Sequence, residues 1–171
     1  MAVRMAIAGN IIDLGVNGAL TEDEACGAID GVLCEPFVGE IAALGEAAGK
    51  AGTILYLADN AGEIVFDRLL IQRLGGARTT LAVRGHAIIN DATMADAAAA
   101  GLHDICEVID NGNDAPGTLL EGCSDMFRRR FEAADLIIAK GQANFETLSD
   151  VPANIFFLFK VKCPVIADHV G

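Results

Sequence analysis

With 171 residues, the chain is long enough for one domain with a real hydrophobic core. It is 53% hydrophobic, and twelve Lys and Arg against 24 Asp and Glu give a net charge of -12. That balance excludes a disordered chain and a uniformly basic nucleic-acid surface, and no apolar run reaches the roughly 20 residues of a membrane span.

Aromatic residues are scarce and there is no Trp, so the core must come from Ala, Ile, Leu and Val. That mix suits parallel strands buried on both faces by Ala-rich helices. Residues 5–12 are apolar but carry Gly9-Asn10 and end at Asp13, without the basic start and cleavage site of a signal peptide. The chain therefore reads as cytoplasmic. The cysteines (Cys26, Cys34, Cys106, Cys123 and Cys163) are odd in number and lack CxxC spacing. They read as reduced, buried small residues, not as a zinc or disulfide framework.

In chain order, AVRMAIAGNIIDLGV has helical apolar spacing, Thr21 and Glu24 form a capping-box pattern, and a third helix is expected over 36–48. The first fifty residues thus read as a helical N-terminal cap, with a soft boundary at 49–52 before an α/β core over 51–171. TILYLA is the first strand. DNAGE follows it, then a helix over 63–74 that Gly75-Gly76 ends. TTLAVRG is the second strand, HAIIND a short strand or extended loop, and Thr93 a cap for the Ala-rich helix after it. CEVID is a third strand, closed by NGNDAPG. Ser124 caps a helix carrying Phe127 and Phe131. DLIIA is a fourth strand, NIFFLF a fifth, and CPVIA a candidate sixth. Strands alternating with helices imply a parallel-sheet, Rossmann-like three-layer α/β fold.

The polar residues are informative by position. DNAGE, IND, NGNDAPG and KGQAN each stand where a strand ends and a helix begins. In an open parallel sheet that edge is where ligands bind. Asp59 and Asn60 offer a carboxylate and an amide oxygen, hard donors suited to Mg²⁺ or Mn²⁺. Gly62 allows a tight turn, and the next helix has N–H groups to offer an anion. Asn90-Asp91 repeats the chemistry, and Asp91 is a candidate third ligand. Helix capping is the plainer role for each of these residues. Lys140 can place a charge on a phosphate, Gln142 and Asn144 can donate hydrogen bonds, and Asn113, Asp114 and Gly117 form a polar loop able to close over a substrate. No Walker loop, GxGxxG or GxSxG is suitably placed, and Asp59-Asn60-Ala61 lacks the Asp-x-Asp of aspartyl-phosphate enzymes. His86, His103 and His169 show no ligand spacing.

Taken together, YLADNAGEIVFDRLL, IINDATMADA, DAPG, AKGQANFETL and LFKVKCPVIA resemble the damage-control phosphatases, also called domain of unknown function 89, and GNIIDLG resembles another of their segments. The likeness covers residues 8–167. It implies an α/β metal-dependent phosphatase, a hydrolase of sugar phosphates or damaged phosphometabolites that uses Mn²⁺, Co²⁺, Ni²⁺ or Mg²⁺. By motif, Asp59, Asn60 and Asp91 would be the metal ligands and catalytic centre, and Lys140 would hold the phosphate. Asn10, Asp13, Glu63, Asn90, Asn113, Asp114 and Asn144 would line the substrate site, with Glu146 nearby. The implied partner is a small phosphorylated molecule, not nucleic acid or membrane, and self-association stays open. Members of the related microbial subgroup carry a longer helical N-terminal region with a CxxC. This chain opens almost at GNIIDLG, as a truncated or compact form would. Methyl transfer from S-adenosylmethionine and a non-catalytic phosphometabolite-binding domain are the alternative functions.

Overall fold

The computed structural model describes residues 1–9, 31 and 37–161. Helix α1 is Ala2–Ala8 and α2 is Ile41–Lys50. The chain then alternates: β1 Ile54–Leu57, α3 Ile64–Leu74, β2 Thr79–Val83, α4 Met94–Ala99, β3 Glu107–Asp110, α5 Asp125–Ala133, β4 Leu136–Lys140, α6 Gln142–Leu148 and β5 Ile155–Leu158. The Thr21 capping-box pattern and the candidate sixth strand at CPVIA lie outside the described residues, as do Asn10, Asp13, Cys26, Cys34 and Cys163.

All five strands pair in parallel, in the order β3-β2-β1-β4-β5. β1 and β4 are buried throughout, which explains why they read as continuous apolar runs. Alternate residues feed two cores. Ile54 and Tyr56 of β1 join Val3 and Ala6 of α1, Leu44 and Ala48 of α2, Leu70 and Ile71 of α3 and Ala97 of α4. Leu55 and Leu57 join Phe127 and Phe131 of α5 and Leu148 of α6 on the other face. The result is a three-layer α/β fold, and α1 and α2 share the first core with the sheet.

Local signals explain the helix ends. Gly75 adopts φ 89°, a left-handed conformation that stops α3. Thr93 donates its backbone N–H (2.9 Å) and hydroxyl (2.6 Å) to Asp96, anchoring α4. Ser124 Oγ accepts from Phe127 N (3.2 Å) and opens α5. Phe127 and Phe131, four residues apart, face the core, while Arg129 and Arg130 face outward.

One expectation is corrected, and an open one is settled in favour of the loop. The helix expected over 36–48 starts at Ile41, after an extended Glu40, and residues 37–40 lead into it. HAIIND forms turns, with one isolated antiparallel bridge from Asp91 to Asn60. The segment follows β2, which is flanked by β1 and β3. Ile89 points outward at φ 48° and 83% exposure. Among the described residues, no helix is long and apolar enough to cross a membrane.

Asp135 ties the starts of β1 and β4 together. Its Oδ2 accepts from Gly52 N (2.9 Å), Thr53 N (2.8 Å) and Thr53 Oγ1 (3.0 Å). The Thr53 backbone N–H, then its hydroxyl and Gly52, hold this exposed carboxyl below the ordinary aspartate value. A carboxyl lowered in the folded state stabilises above its unfolded pKa and loses that contribution as pH falls through the folded pKa. Asp135→Ala should therefore lower the urea midpoint equally at pH 8 and pH 5, with the gap narrowing only below about pH 4. A gap that already closes between pH 8 and pH 5 would contradict this.

Candidate functional site

In this strand order the chain leaves β1 toward β2 and β3, then returns with β4 on the other side of β1. The β1–β4 boundary is the switch point, where connections diverge and open a crevice at the carboxyl edge. Asp59 and Asn60 follow β1, and Lys140 ends β4. The turns after β2 join them: Ala61 N donates to Asn90 O (2.8 Å) and Ala92 N to Asp59 O (2.7 Å). The paired backbones bring Asp59, Asn60 and Asp91 to one place.

One hydrogen-bonded chain forms the inner wall. Tyr56 OH donates to Asp67 Oδ1 (2.7 Å). Lys140 Nζ donates to the same Asp67 oxygen (2.8 Å) and to Glu63 Oε2 (2.7 Å). Asn60 Nδ2 donates to Glu63 Oε1 (2.9 Å). Lys140 and Asp67 are fully buried and Glu63 is 1% exposed. Burial pulls the Lys140 ammonium down, but Asp67 and Glu63 outweigh it and the net direction is up, so the lysine stays charged. Burial, then Asp67, pushes the Tyr56 phenol well above its usual value. With its amide nitrogen on Glu63, Asn60 keeps its oxygen as the remaining donor atom.

A second network forms the outer wall. Arg84, directly after β2, donates Nε to Asp91 Oδ2 (2.6 Å) and Nη1 to Thr118 Oγ1 (3.4 Å). Thr118 Oγ1 donates to Asn144 Oδ1 (2.7 Å). Asn144 Nδ2 returns to Lys140 O (2.7 Å) and Ala58 O (3.3 Å). Asn144 thus laces the ends of β1 and β4 to the loop after β3.

Asp59 lies between the two walls, 8% exposed, with its carboxylate against Gly141. Gly141 has φ 79°, and a Cβ there would fall on the Asp59 carboxylate, so glycine is required twice over. Burial first, then Glu63 and Asp91, push Asp59 up to about 7, against the opposing pull of Lys140 and Arg84. The balance of charge gives the physical reason. Among the described residues, buried Asp59, Glu63 and Asp67 and the partly buried Asp91 face two buried cations, Arg84 and Lys140. Fully ionised, that set carries two negative charges in excess.

Other sequence-predicted residues take different positions. Asn90 lends its backbone carbonyl to Ala61. Asn113 shapes its own loop, accepting from Ala115 N (3.0 Å) and donating to Leu119 O (3.5 Å). Asp114 is exposed. Glu146 pairs with Gln142 (2.7 Å) on the exposed side of α6. Sequence reasoning missed Tyr56, Asp67, Arg84 and Thr118. Arg84 carried a usable signal, since VRG places a cation at a strand end just as AKG does.

Comparison with known proteins places the chain in a family. The model of the "Damage-control phosphatase ARMT1-like domain" family matches residues 1–171. The chain belongs to this family. It is 40% identical to a damage-control phosphatase of Pyrococcus horikoshii over 172 residues, covering 98% of this chain and 59% of that protein. It is 38% identical to a damage-control phosphatase of Archaeoglobus fulgidus over 176 residues, covering 99% of this chain and 60% of that one. The crystal structure of a DUF89 family protein from Pyrococcus horikoshii superposes with a TM-score of 0.91 at 38% identity, over 99% of this chain and 60% of the other. The chain thus spans about three-fifths of the length of these damage-control phosphatase relatives.

The inner wall makes a stability prediction. Lys140→Ala strands Glu63 and Asp67 as buried carboxylates and should cost about 3–5 kcal/mol of unfolding free energy. Tyr56→Phe removes one donor to Asp67 and should cost about 1–3 kcal/mol. Urea unfolding measures both, and a cost below about 1 kcal/mol for Lys140→Ala would mean that the ammonium does not hold these acids.

Proposed function

We propose that the chain is a metal-dependent phosphatase of small phosphorylated metabolites, with its centre at Asp59, Asn60 and Asp91. The excess of buried negative charge at the switch point carries the reading. Two net charges out of water are costly, and a divalent cation balances two. The donor set fits such an ion: two carboxylates and an amide oxygen are hard ligands. Among the described residues no three His, Cys, Asp or Glu side chains form a metal cage by themselves, and the proposed set joins two carboxylates to the amide oxygen of Asn60.

When bound, the cation supplies Lewis-acid polarisation of a phosphoryl oxygen and of water. The chain's own residues hold and orient. Glu63 holds the Asn60 amide nitrogen, which would leave the Asn60 oxygen for the ion, and Lys140 fixes Glu63 through its other oxygen. Arg84 occupies one oxygen of Asp91 and leaves the other to the site. Lys140 therefore acts on the substrate through Glu63 and Asn60. The relatives' names, damage-control phosphatase, support a small phosphorylated substrate. Sugar phosphates and damaged phosphometabolites are the substrate class, and Mn²⁺, Co²⁺, Ni²⁺ or Mg²⁺ the metals, that the family resemblance implies, and the hard oxygen donors suit Mg²⁺ or Mn²⁺ among them. An acidic lining also suits a cation better than an adenosyl group, which favours phosphate ester hydrolysis over methyl transfer.

The test combines thermal shift and turnover. At about one hundred times its dissociation constant, Mn²⁺ should stabilise the wild-type chain by about 2.7 kcal/mol, several degrees in Tm. Asp59→Asn removes a buried negative charge, so the metal-free variant should melt no lower than wild type. It should lose both the Mn²⁺ shift and metal-stimulated hydrolysis of p-nitrophenyl phosphate and a panel of sugar phosphates. A full Mn²⁺ shift in Asp59→Asn would refute the ligand assignment.

A further inference from the structure

We infer that Arg84 is the residue that grips the phosphoryl group of the substrate, an inference that rests on the phosphatase reading above. Arg84 stands at the carboxyl end of β2 and is 4% exposed. Its Nε is fixed by Asp91 and its Nη1 by Thr118. Its Nη2 is buried and has no hydrogen-bond partner among the described residues. A buried guanidinium nitrogen without an acceptor is costly, and charged donors are rarely left so unless a ligand completes them.

Chemistry and position both point to a phosphoryl oxygen as that acceptor. A guanidinium is a planar fork whose donors match phosphate, and it cannot lose its charge at any physiological pH. Two anchored nitrogens leave little freedom to the third, so little rotamer entropy is lost when an oxygen arrives. Arg84 bonds Asp91, a proposed metal ligand, so the third nitrogen lies one residue from the proposed ion. A phosphate ester held between cation and guanidinium has its charge neutralised from two sides. Lys140, the other buried cation of the site, is already committed to Glu63 and Asp67. Thr118 is a positioning residue in this arrangement. Its hydroxyl takes Nη1 and is itself held by Asn144, so the β1–β4 lacing fixes the angle of the fork.

The test is calorimetric titration of inorganic phosphate into wild type, Arg84→Lys and Thr118→Val, each saturated with Mn²⁺, after the Mn²⁺ affinity of each has been measured. Lysine keeps the charge but loses the fork. Phosphate affinity should fall by about tenfold or more in Arg84→Lys, the worth of one charge-assisted hydrogen bond, and severalfold in Thr118→Val. Mn²⁺ affinity should stay within about threefold of wild type in Thr118→Val, which touches no proposed metal ligand; Arg84→Lys loses its bond to Asp91 and is therefore compared only at Mn²⁺ concentrations that saturate it. Phosphate binding within threefold of wild type in a folded Arg84→Lys would overturn the inference. So would parallel losses of metal and phosphate in Thr118→Val, which would mark the network as scaffolding only; Thr118→Val decides alone if Arg84→Lys does not fold. Failure of wild type to bind Mn²⁺ would defeat the metal reading instead. Phosphate titrated into metal-free wild type and Arg84→Lys would then still judge Arg84.

Discussion

Lys140 carries a positive charge into the interior, and the fold is arranged so that Glu63 and Asp67 meet it there. The ammonium ends β4, the two carboxylates stand at the start of α3, and 73 to 77 residues separate the partners in sequence. The bond therefore closes the switch point from inside, tying the helix after β1 to the strand beside β1. Tyr56 reaches the same Asp67 oxygen from within β1, so strand, helix and neighbouring strand share one acceptor. A buried charge network of this kind rarely increases stability over an apolar core, but losing one member is severe. What it provides is a fixed geometry for Asn60, whose amide hangs from Glu63.

The same economy leaves the site over-supplied with acid. One lysine serves two carboxylates and one arginine serves a third, while Asp59 lies between the two walls with both Glu63 and Asp91 near enough to raise its pKa. A protein selected for stability alone has no reason to keep Asp59 acidic and to clear space for it with a glycine at φ 79°. Unbalanced buried charge at one place is a mark of a site that binds something. The excess of negative charge is what supports the proposed cation.

Much of this was legible in the sequence, and the boundary of legibility is physical. Parallel strands buried on both faces must be apolar throughout, so TILYLA, TTLAV and DLIIA announce themselves. Ligands of an open parallel sheet bind at its carboxyl edge, so Asp59, Asn60 and Asp91 could be picked out as candidates from the segments that follow β1 and β2. Partner choice was not legible. Nothing local shows that Lys140 turns inward to two acids in α3, because burial of a lysine depends on partners distant in sequence. Asn113 has the composition of a substrate loop, yet its carboxamide is used to shape the turn that carries Thr118. HAIIND has strand-like residues but follows β2, which is flanked by β1 and β3, a fact of topology that no window of sequence contains. Arg84 was legible as a cation at a strand end, but its bonds to Asp91 and Thr118 were not, because both partners lie in later turns.

The account stands on one cation at one place. Anomalous diffraction from crystals grown with Mn²⁺ tests that directly, because it locates the ion without reference to activity. The account predicts a single strong peak between β1 and β4, within about 2.0–2.6 Å of oxygens of Asp59, Asn60 and Asp91. A peak bound by other side chains, or none at these three residues at saturating metal, would contradict it.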